Sequence, residues 1–328
     1  MELFELVKNL PTVKADRNYW FFRTRGGLYY EAFHKGGFIA FGKNKIDLES
    51  IDTAKKLGEK AAEQLKAIVS KKYPDEQRPS YVAKQILRFA YDIKKGDIIV
   101  IPSENSDELA FGEVLETPIY IELDPSDECD YFKRKPVKWF TTKNRHKLDA
   151  EMFKLISSHH TITEANAYSG IIDKEIMNFF IKGDTAHLVM GVKTKDNISA
   201  KDLFSMGLLQ IELYEAFCQA ENIPYDEDNI KVKLDVRSPG FIELSGTDFA
   251  SIILLALLII GLAGGGLKTK ILGQKLDLKT DGIIEKINRF LIKKDEVKAK
   301  KEISARLLEK LDIEDPDDLI KLLKKLNK

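Results

Sequence analysis

FASIILLALLIIGLAGGGL, residues 249–267, carries no charged side chain, and no other stretch of the 328-residue chain is as apolar. Asp248 bounds it on one side, Lys268 and Lys270 on the other. A helix needs about 20 apolar residues to cross a bilayer core, within a range of roughly 17–25. A helix that is apolar on every face is buried, in lipid or in protein. The run is therefore read first as a transmembrane or re-entrant segment over residues 248–273. Phe249, Ile252, Leu255, Ile259 and Leu262 are its candidate pore or membrane residues. The competing reading is a helix buried in the core of this chain or of an oligomer. Gly264, Gly265 and Gly266 disfavour helix. A helix stopped at residue 263 is roughly 22 Å long, against a bilayer core of roughly 30 Å.

The flanks add a constraint. Residues 268–328 hold more Lys and Arg than Asp and Glu, and short basic flanks favour the cytoplasmic side. The opening MELFELVKNL has acidic residues and no apolar core of a signal peptide. The residues ahead of the run are thus expected in the cytoplasm, at the inner membrane. One simple crossing would put the basic tail outside. A re-entrant hairpin, or a helix shielded inside an oligomer, removes that conflict, because irregular backbone survives at membrane depth only where protein or water covers it.

Composition excludes several classes. With 52 basic and 52 acidic residues the net charge is zero, so any nucleic-acid surface must be local. Cys129 and Cys218 are isolated, which rules out a disulfide framework and a cysteine-type zinc site and fits a reducing compartment. Neither GxxxxGK[ST] nor GxSxG occurs. His159 and His160 are sequence neighbours whose side chains diverge, and His34, His146 and His187 lack a partner at ligand spacing. No metal and no cofactor is expected. Asp92-Ile93-Lys94 and Asp277-Leu278-Lys279 have the acid-x-Lys form of restriction nucleases, but no strand-rich βαβ core surrounds them. The chain is read as a non-enzyme.

From the N-terminus, residues 18–46 alternate aromatic and β-branched residues with turn residues. They predict strands near 19–23 and 38–42, with a strand or short helix near 29–34 between Gly26-Gly27 and Gly36-Gly37. Helical spacing follows over 51–71 and from Pro79. Strands are expected over 98–102, 109–116, 118–123 and 134–141, with helical patterns at 149–157 and 173–181. Residues 183–247 read as a β-α-β-β unit: strand 186–193, helix 199–218, strands 231–236 and 241–244. One face of that small sheet would need a partner. After the apolar run, 281–294, 296–311 and 316–326 are amphipathic helices, with Pro316 opening the last. The fold class is α+β: a curled β-barrel with helical additions over 1–182, the β-α-β-β coupling or oligomerisation unit over 183–247, the apolar segment over 248–273 and a helical tail over 274–328.

Three segments carry a family resemblance. WFFRTRGGLYYEAFHKGGFIAFG (20–42), IKKGDIIVIPSENSDELAFGEVLETPIYI (93–121) and RKPVKWFTTKNRHKLDAEM (134–152) follow in the order seen in PUA-like or EVE-like domains that accompany Mrr-type restriction enzymes. The resemblance implies a module that holds a nucleic-acid base in an aromatic pocket. In this sequence Trp20, Tyr30 and Trp139 are the candidates to stack on a base, and Arg23, Arg25, Lys138 and Arg145 the candidates to meet phosphates. Filling a barrel core is the alternative for each aromatic, and a solvated rim for each cation.

A ligand-reading domain joined to an apolar segment also resembles the membrane effectors of anti-phage systems of the Hailong type. That likeness implies an oligomeric ion channel gated by an oligonucleotide or nucleotide, whose opening depolarises the cell. One segment per chain cannot enclose a pore, so three or more copies are expected, a tetramer favoured, with a partner nucleotidyltransferase to supply the ligand. The alternative is a nucleic-acid-binding reader subunit of a restriction or defence complex, with the apolar run buried in protein.

Overall fold

Apolar runs and turn residues alternate in this chain so as to build two sheets, each in its own unit. The structure is a computed structural model and describes residues 7–124, 128–194, 198–234, 240–262, 282–293, 295–314 and 316–326. Residues 16–176 form one unit; residues 1–15 and 177–328 form the other. Strand β1 (Thr12–Val13) belongs to the latter.

The 16–176 unit runs β2 (Tyr19–Phe22), α1 (Tyr30–Gly36), β3 (Phe38–Phe41), α2 (Leu48–Lys55), α3 (Ala61–Lys72), α4 (Pro79–Leu87), β4 (Ile98–Pro102), β5 (Glu108–Val114), β6 (Tyr120–Ile121), β7 (Lys133–Asn144), α5 (Met152–Ile156), β8 (Ile162–Glu164) and α6 (Ser169–Ile176). Its sheet has the order β3-β7-β5-β4-β2-β8, with β6 also on β7. β2 and β4 are parallel; the other pairs are antiparallel. The unit is mixed α+β, its sheet curled into a half-barrel. The curl comes from β7, which pairs with β3 through Lys133–Pro136 and with β5 beyond it. The register with β5 shifts between Phe111 and Gly112, and such a bulge bends a strand and raises its twist. A Cβ on Gly112 would lie 2.6 Å from the Trp139 ring and 2.7 Å from Val137 Cγ1, so only glycine fits under that bend.

All four residues of β2 are buried, Trp20 and Phe22 in one cluster and Tyr19 and Phe21 in the other. A strand covered on both faces reads as a continuous apolar run. Local signals were overridden in two places. The helical spacing over 51–71 is split into α2 and α3, with Gly58 at φ +59° between them. The helical pattern over 173–181 stops with α6 at Ile176, and β9 (Phe179–Lys182) follows as a strand. Phe179, Phe180 and Ile181 are all buried, and a bulky consecutive run covered on both faces suits a strand.

Lys135 is a fully buried cation on β7. Its Nζ donates to the carbonyls of Ala90 (3.1 Å) and Ile93 (2.6 Å), at the end of the turn that follows α4. Burial pulls its ammonium down to about 8.

The second unit continues with β9, β10 (Thr185–Val192), α7 (Ala200–Glu221), β11 (Lys231–Leu234), β12 (Gly240–Gly246), α8 (Phe249–Leu262), α9 (Ile283–Lys293), α10 (Asp295–Lys310) and α11 (Asp317–Leu326). The β-α-β-β order is present as β10, α7, β11 and β12. β9 and β1 extend its sheet to β1-β9-β10-β12-β11, with β1 parallel to β9 although Thr12 and Ile181 are far apart in sequence. Leu188, Met190, Ile242 and Leu244 point from the sheet into the larger core, while Val13, Phe180 and Val189 form a small cluster apart from it.

The apolar run is where the first expectation is corrected. α8 has 14 residues, about 21 Å at 1.5 Å per residue. Among the described residues no helix is long and apolar enough to cross a membrane. Residues 263–273 of the expected segment, and Asp277-Leu278-Lys279 after it, lie outside the described residues. Ile252, Leu255, Ile259 and Leu262 are at most 1% exposed, and Phe249 packs on the same core from its edge. α7, α9, α10, β10 and β12 contact the helix, which explains an apolar surface on all sides without lipid. Its start is tied down: Asp248 accepts from Ala250 N (3.1 Å) and from Ser251 Oγ, and Tyr214 OH of α7 donates to Ser251 Oγ (2.6 Å).

Two measurements follow. Leu255→Ala leaves a hole in protein and costs about 2–5 kcal/mol of stability in denaturant unfolding followed by circular dichroism; a lipid-facing leucine would show no such loss. Lys135 is neutral above about 8 in the folded chain but stays charged to about 10.4 unfolded. Between those values the unfolded chain binds the extra proton, so this residue's contribution to stability rises with pH. Melting curves from pH 7.5 to 9.5 should move upward more for the wild type than for Lys135→Met.

Candidate functional site

Where β2 and β3 end, the 16–176 unit encloses a cavity of about 480 Å³. Its walls come from five stretches of chain: the exit of β2 (Phe22, Arg23, Arg25, Tyr29), the exit of β3 (Ala40 to Lys43), the approach to α4 and its first turns (Glu76 to Gln85), Tyr131 before β7, and His159 and Thr161 before β8.

The exit of β2 is a strained turn. Arg25 sits at φ +56° and is followed by Gly26 and Gly27 at +69° and +99°. A Cβ on Gly27 would fall 2.3 Å from Glu104 Cα, so no other residue fits. A non-glycine residue at positive φ costs on the order of 1 kcal/mol or more and persists only where neighbours hold it. Here Arg25 Nη1 donates to Tyr29 OH (3.1 Å), and Tyr29 OH donates to Asp130 Oδ1 (2.6 Å). Burial, then the hydrogen bond to Asp130, pushes the Tyr29 phenol well above its ordinary value, so it stays protonated. The rings of Tyr29 and Tyr131 are 4.5 Å apart between centroids and tilted by 56°. Gly42 permits this: a Cβ there would meet the Tyr131 ring at 2.9 Å.

Another wall is one face of α4, where Tyr81, Val82 and Gln85 follow helical spacing. Tyr81 OH accepts from Thr161 N (2.7 Å) and donates to Thr161 Oγ1 (3.3 Å). Gln85 Oε1 accepts from Ile162 N (2.8 Å). Both side chains are held by the backbone entering β8. Lys43 and Glu76 form an ion pair at 2.5 Å, and Glu76 also accepts from Arg78 N (3.1 Å). Lys43 first, then that N–H, holds the Glu76 carboxyl below its usual range. Arg25 and Arg78 are exposed, so the cavity has aromatic walls, a fixed polar interior and cationic side chains open to solvent.

Of the seven residues expected from the sequence, Arg23 and Arg25 line this cavity. Arg23 spends its guanidinium on carbonyls, with Nε donating to Ser158 O (2.8 Å) and Nη2 to Ile156 O (2.7 Å). Trp20 is buried with its Nε1 donating to Asp97 Oδ2 (2.8 Å). Tyr30 is buried and stacked on His34, and Trp139 Nε1 donates to Phe33 O (2.9 Å). These three aromatics do not line the cavity. Lys138 is exposed on β7 opposite Glu113, and Arg145 donates to Asn105 O (3.0 Å); both are away from the cavity lining. Tyr29, Tyr81, Tyr131 and Gln85 were missed. The spacing of Tyr81 and Gln85 on one helical face was readable, but Tyr131 has no local pattern that singles it out.

Asp92 closes the turn after α4 and lies outside the cavity lining. Among the described residues no three His, Cys, Asp or Glu side chains gather as a metal site requires.

A family model described as a domain of unknown function (DUF8426) matches residues 30–166. That span contains the lining residues from Ala40 to Thr161, and Phe22, Arg23, Arg25 and Tyr29 precede it. No curated protein and no solved structure matches the chain.

Gly42→Ala presses a methyl group on the Tyr131 ring and should cost about 1–3 kcal/mol, the usual penalty of overpacking. In a Tyr131→Ala background the same substitution should cost less. Unfolding of the four proteins of this cycle measures the coupling; strictly additive losses would mean that the ring does not rest on Gly42.

Proposed function

We propose that residues 16–176 bind a nucleic-acid-type ligand, a nucleotide or a short single-stranded oligonucleotide, with one base held in the cavity. The observation that carries this reading is the Tyr29–Tyr131 pair at the cavity, with Arg25 hydrogen-bonded to its edge. Flat aromatic faces take a base of any sequence by stacking, and cations beside them meet the backbone phosphates. The cavity volume falls within the roughly 300–1,000 Å³ of small-ligand sites. The zero net charge of the chain agrees with a partner met locally rather than by a long-range field.

The likeness of residues 20–42, 93–121 and 134–152 to PUA-like or EVE-like modules supports the same ligand class. On that likeness the chain serves as the reader of a restriction or defence assembly. The gated-channel reading loses its structural support at α8, whose described residues lie inside a protein core.

Fluorescence anisotropy with a labelled oligothymidylate tests the proposal. Tyr131→Ala should weaken binding by about fivefold to 150-fold, the equivalent of one base stacked on an aromatic ring. Arg25→Ala should reduce the salt dependence by about one phosphate contact. Trp139→Ala should leave affinity unchanged. A Tyr131→Ala variant that binds as the wild type does would remove the cavity from the mechanism.

A further inference from the structure

Gln85 is the one amide side chain in the cavity wall, and it is 4% exposed. Its Oε1 accepts the N–H of Ile162 at 2.8 Å. An N–H can be met only by the oxygen of a carboxamide, so this bond sets the amide's orientation. Nε2, with two N–H donors, is left on the other side. Among the described residues Nε2 has no acceptor, and it is not among the buried atoms sealed off without a partner. It therefore opens on the cavity that Gln85 lines. A bound ligand strips water from this donor, and a buried donor left unpaired is costly. The ligand must bring an acceptor to it.

Which acceptor follows from how a base enters. The exposed Arg25 gathers the sugar–phosphate on the solvent side, and the base goes in with its glycosidic bond outward. In a pyrimidine the ring carbon farthest from that bond is C4, directly across from N1. Uracil and thymine carry a carbonyl oxygen there; cytosine carries an N–H2 group. We infer that Gln85 is the specificity-determining residue of this site and selects a base with a carbonyl at that position over one with an amine. The inference rests on the reading of the cavity as a base site. The amide donor then pairs with O4 and faces N4–H2 as donor against donor.

Equilibrium binding of fluorescein-labelled dT5 and dC5 at pH 8 tests this on the full chain. The wild type should prefer dT5 by about tenfold, the worth of one hydrogen bond against an unpaired buried donor. Gln85→Glu keeps an oxygen for Ile162 N and turns the remaining atom into an acceptor; it should bring the preference to dC5. Gln85→Met keeps the length, removes both groups and should abolish the preference, and it carries the test if the glutamate variant does not fold. Equal wild-type affinity for the two probes, or a dT5:dC5 ratio unchanged in either folded variant, overturns the role of Gln85. If Tyr131→Ala still weakens both probes in that case, the base site itself stands. If neither probe binds the wild type, both readings fall.

Discussion

One strand, β7, pairs with β3, β6 and β5, and the 16–176 unit depends on it. β7 gives its first four residues to β3 and the rest to β5. The bulge opposite Phe111 and Gly112 bends the strand, and the sheet curls. The curl brings the exits of β2 and β3 toward α4 and the residues before β8, and the cavity forms there. Lys135 sits in the same strand and supplies donors to two carbonyls at the end of the turn after α4. A buried ammonium is expensive, and two hydrogen bonds to backbone carbonyls with a lowered proton affinity are how this one is tolerated.

The other unit is governed by burial around α8. An all-apolar helix is compatible with two solvents, lipid and protein interior, and its own residues cannot distinguish them. What distinguishes them is the company it keeps. α7, α9 and α10 bring amphipathic stripes, and β10 and β12 bring the alternate residues of a sheet. Those stripes would be exposed if α8 were removed to a membrane. The hydrogen bonds from Tyr214 through Ser251 to Asp248 fix the helix start at the polar end of that core.

Most polar groups around the cavity are anchored by other protein groups, some backbone and some side chain. Tyr81 and Gln85 are held by Thr161 and Ile162, Tyr29 by Asp130, and Arg23 by the end of α5. Side chains so fixed have little conformational entropy left to lose. The cost is carried by the turn at Arg25, Gly26 and Gly27, whose left-handed backbone puts a guanidinium beside Tyr29.

Period and turn chemistry in the sequence determined most of the elements: the strand at 98–102, the strand expected at 186–193 and found at Thr185–Val192, the helix opened by Pro79, and the amphipathic helices of the C-terminal stretch. They also determined that the class is α+β, because these signals are local and survive any packing. Arg23 and Arg25, candidates from the sequence, both line the cavity, where the turn after β2 carries them. Tertiary structure alone decided which aromatics line the cavity. Trp20, Tyr30 and Trp139 look like stacking residues in one dimension, yet packing against the sheet turns them away from the cavity, while Tyr131 lines it beside Gly42, far away in sequence, whose missing Cβ leaves room for the ring. It also decided the fate of the apolar run and the pairing of β1 with β9. Hydrophobicity states that a surface must be covered, and only the assembled neighbours state by what.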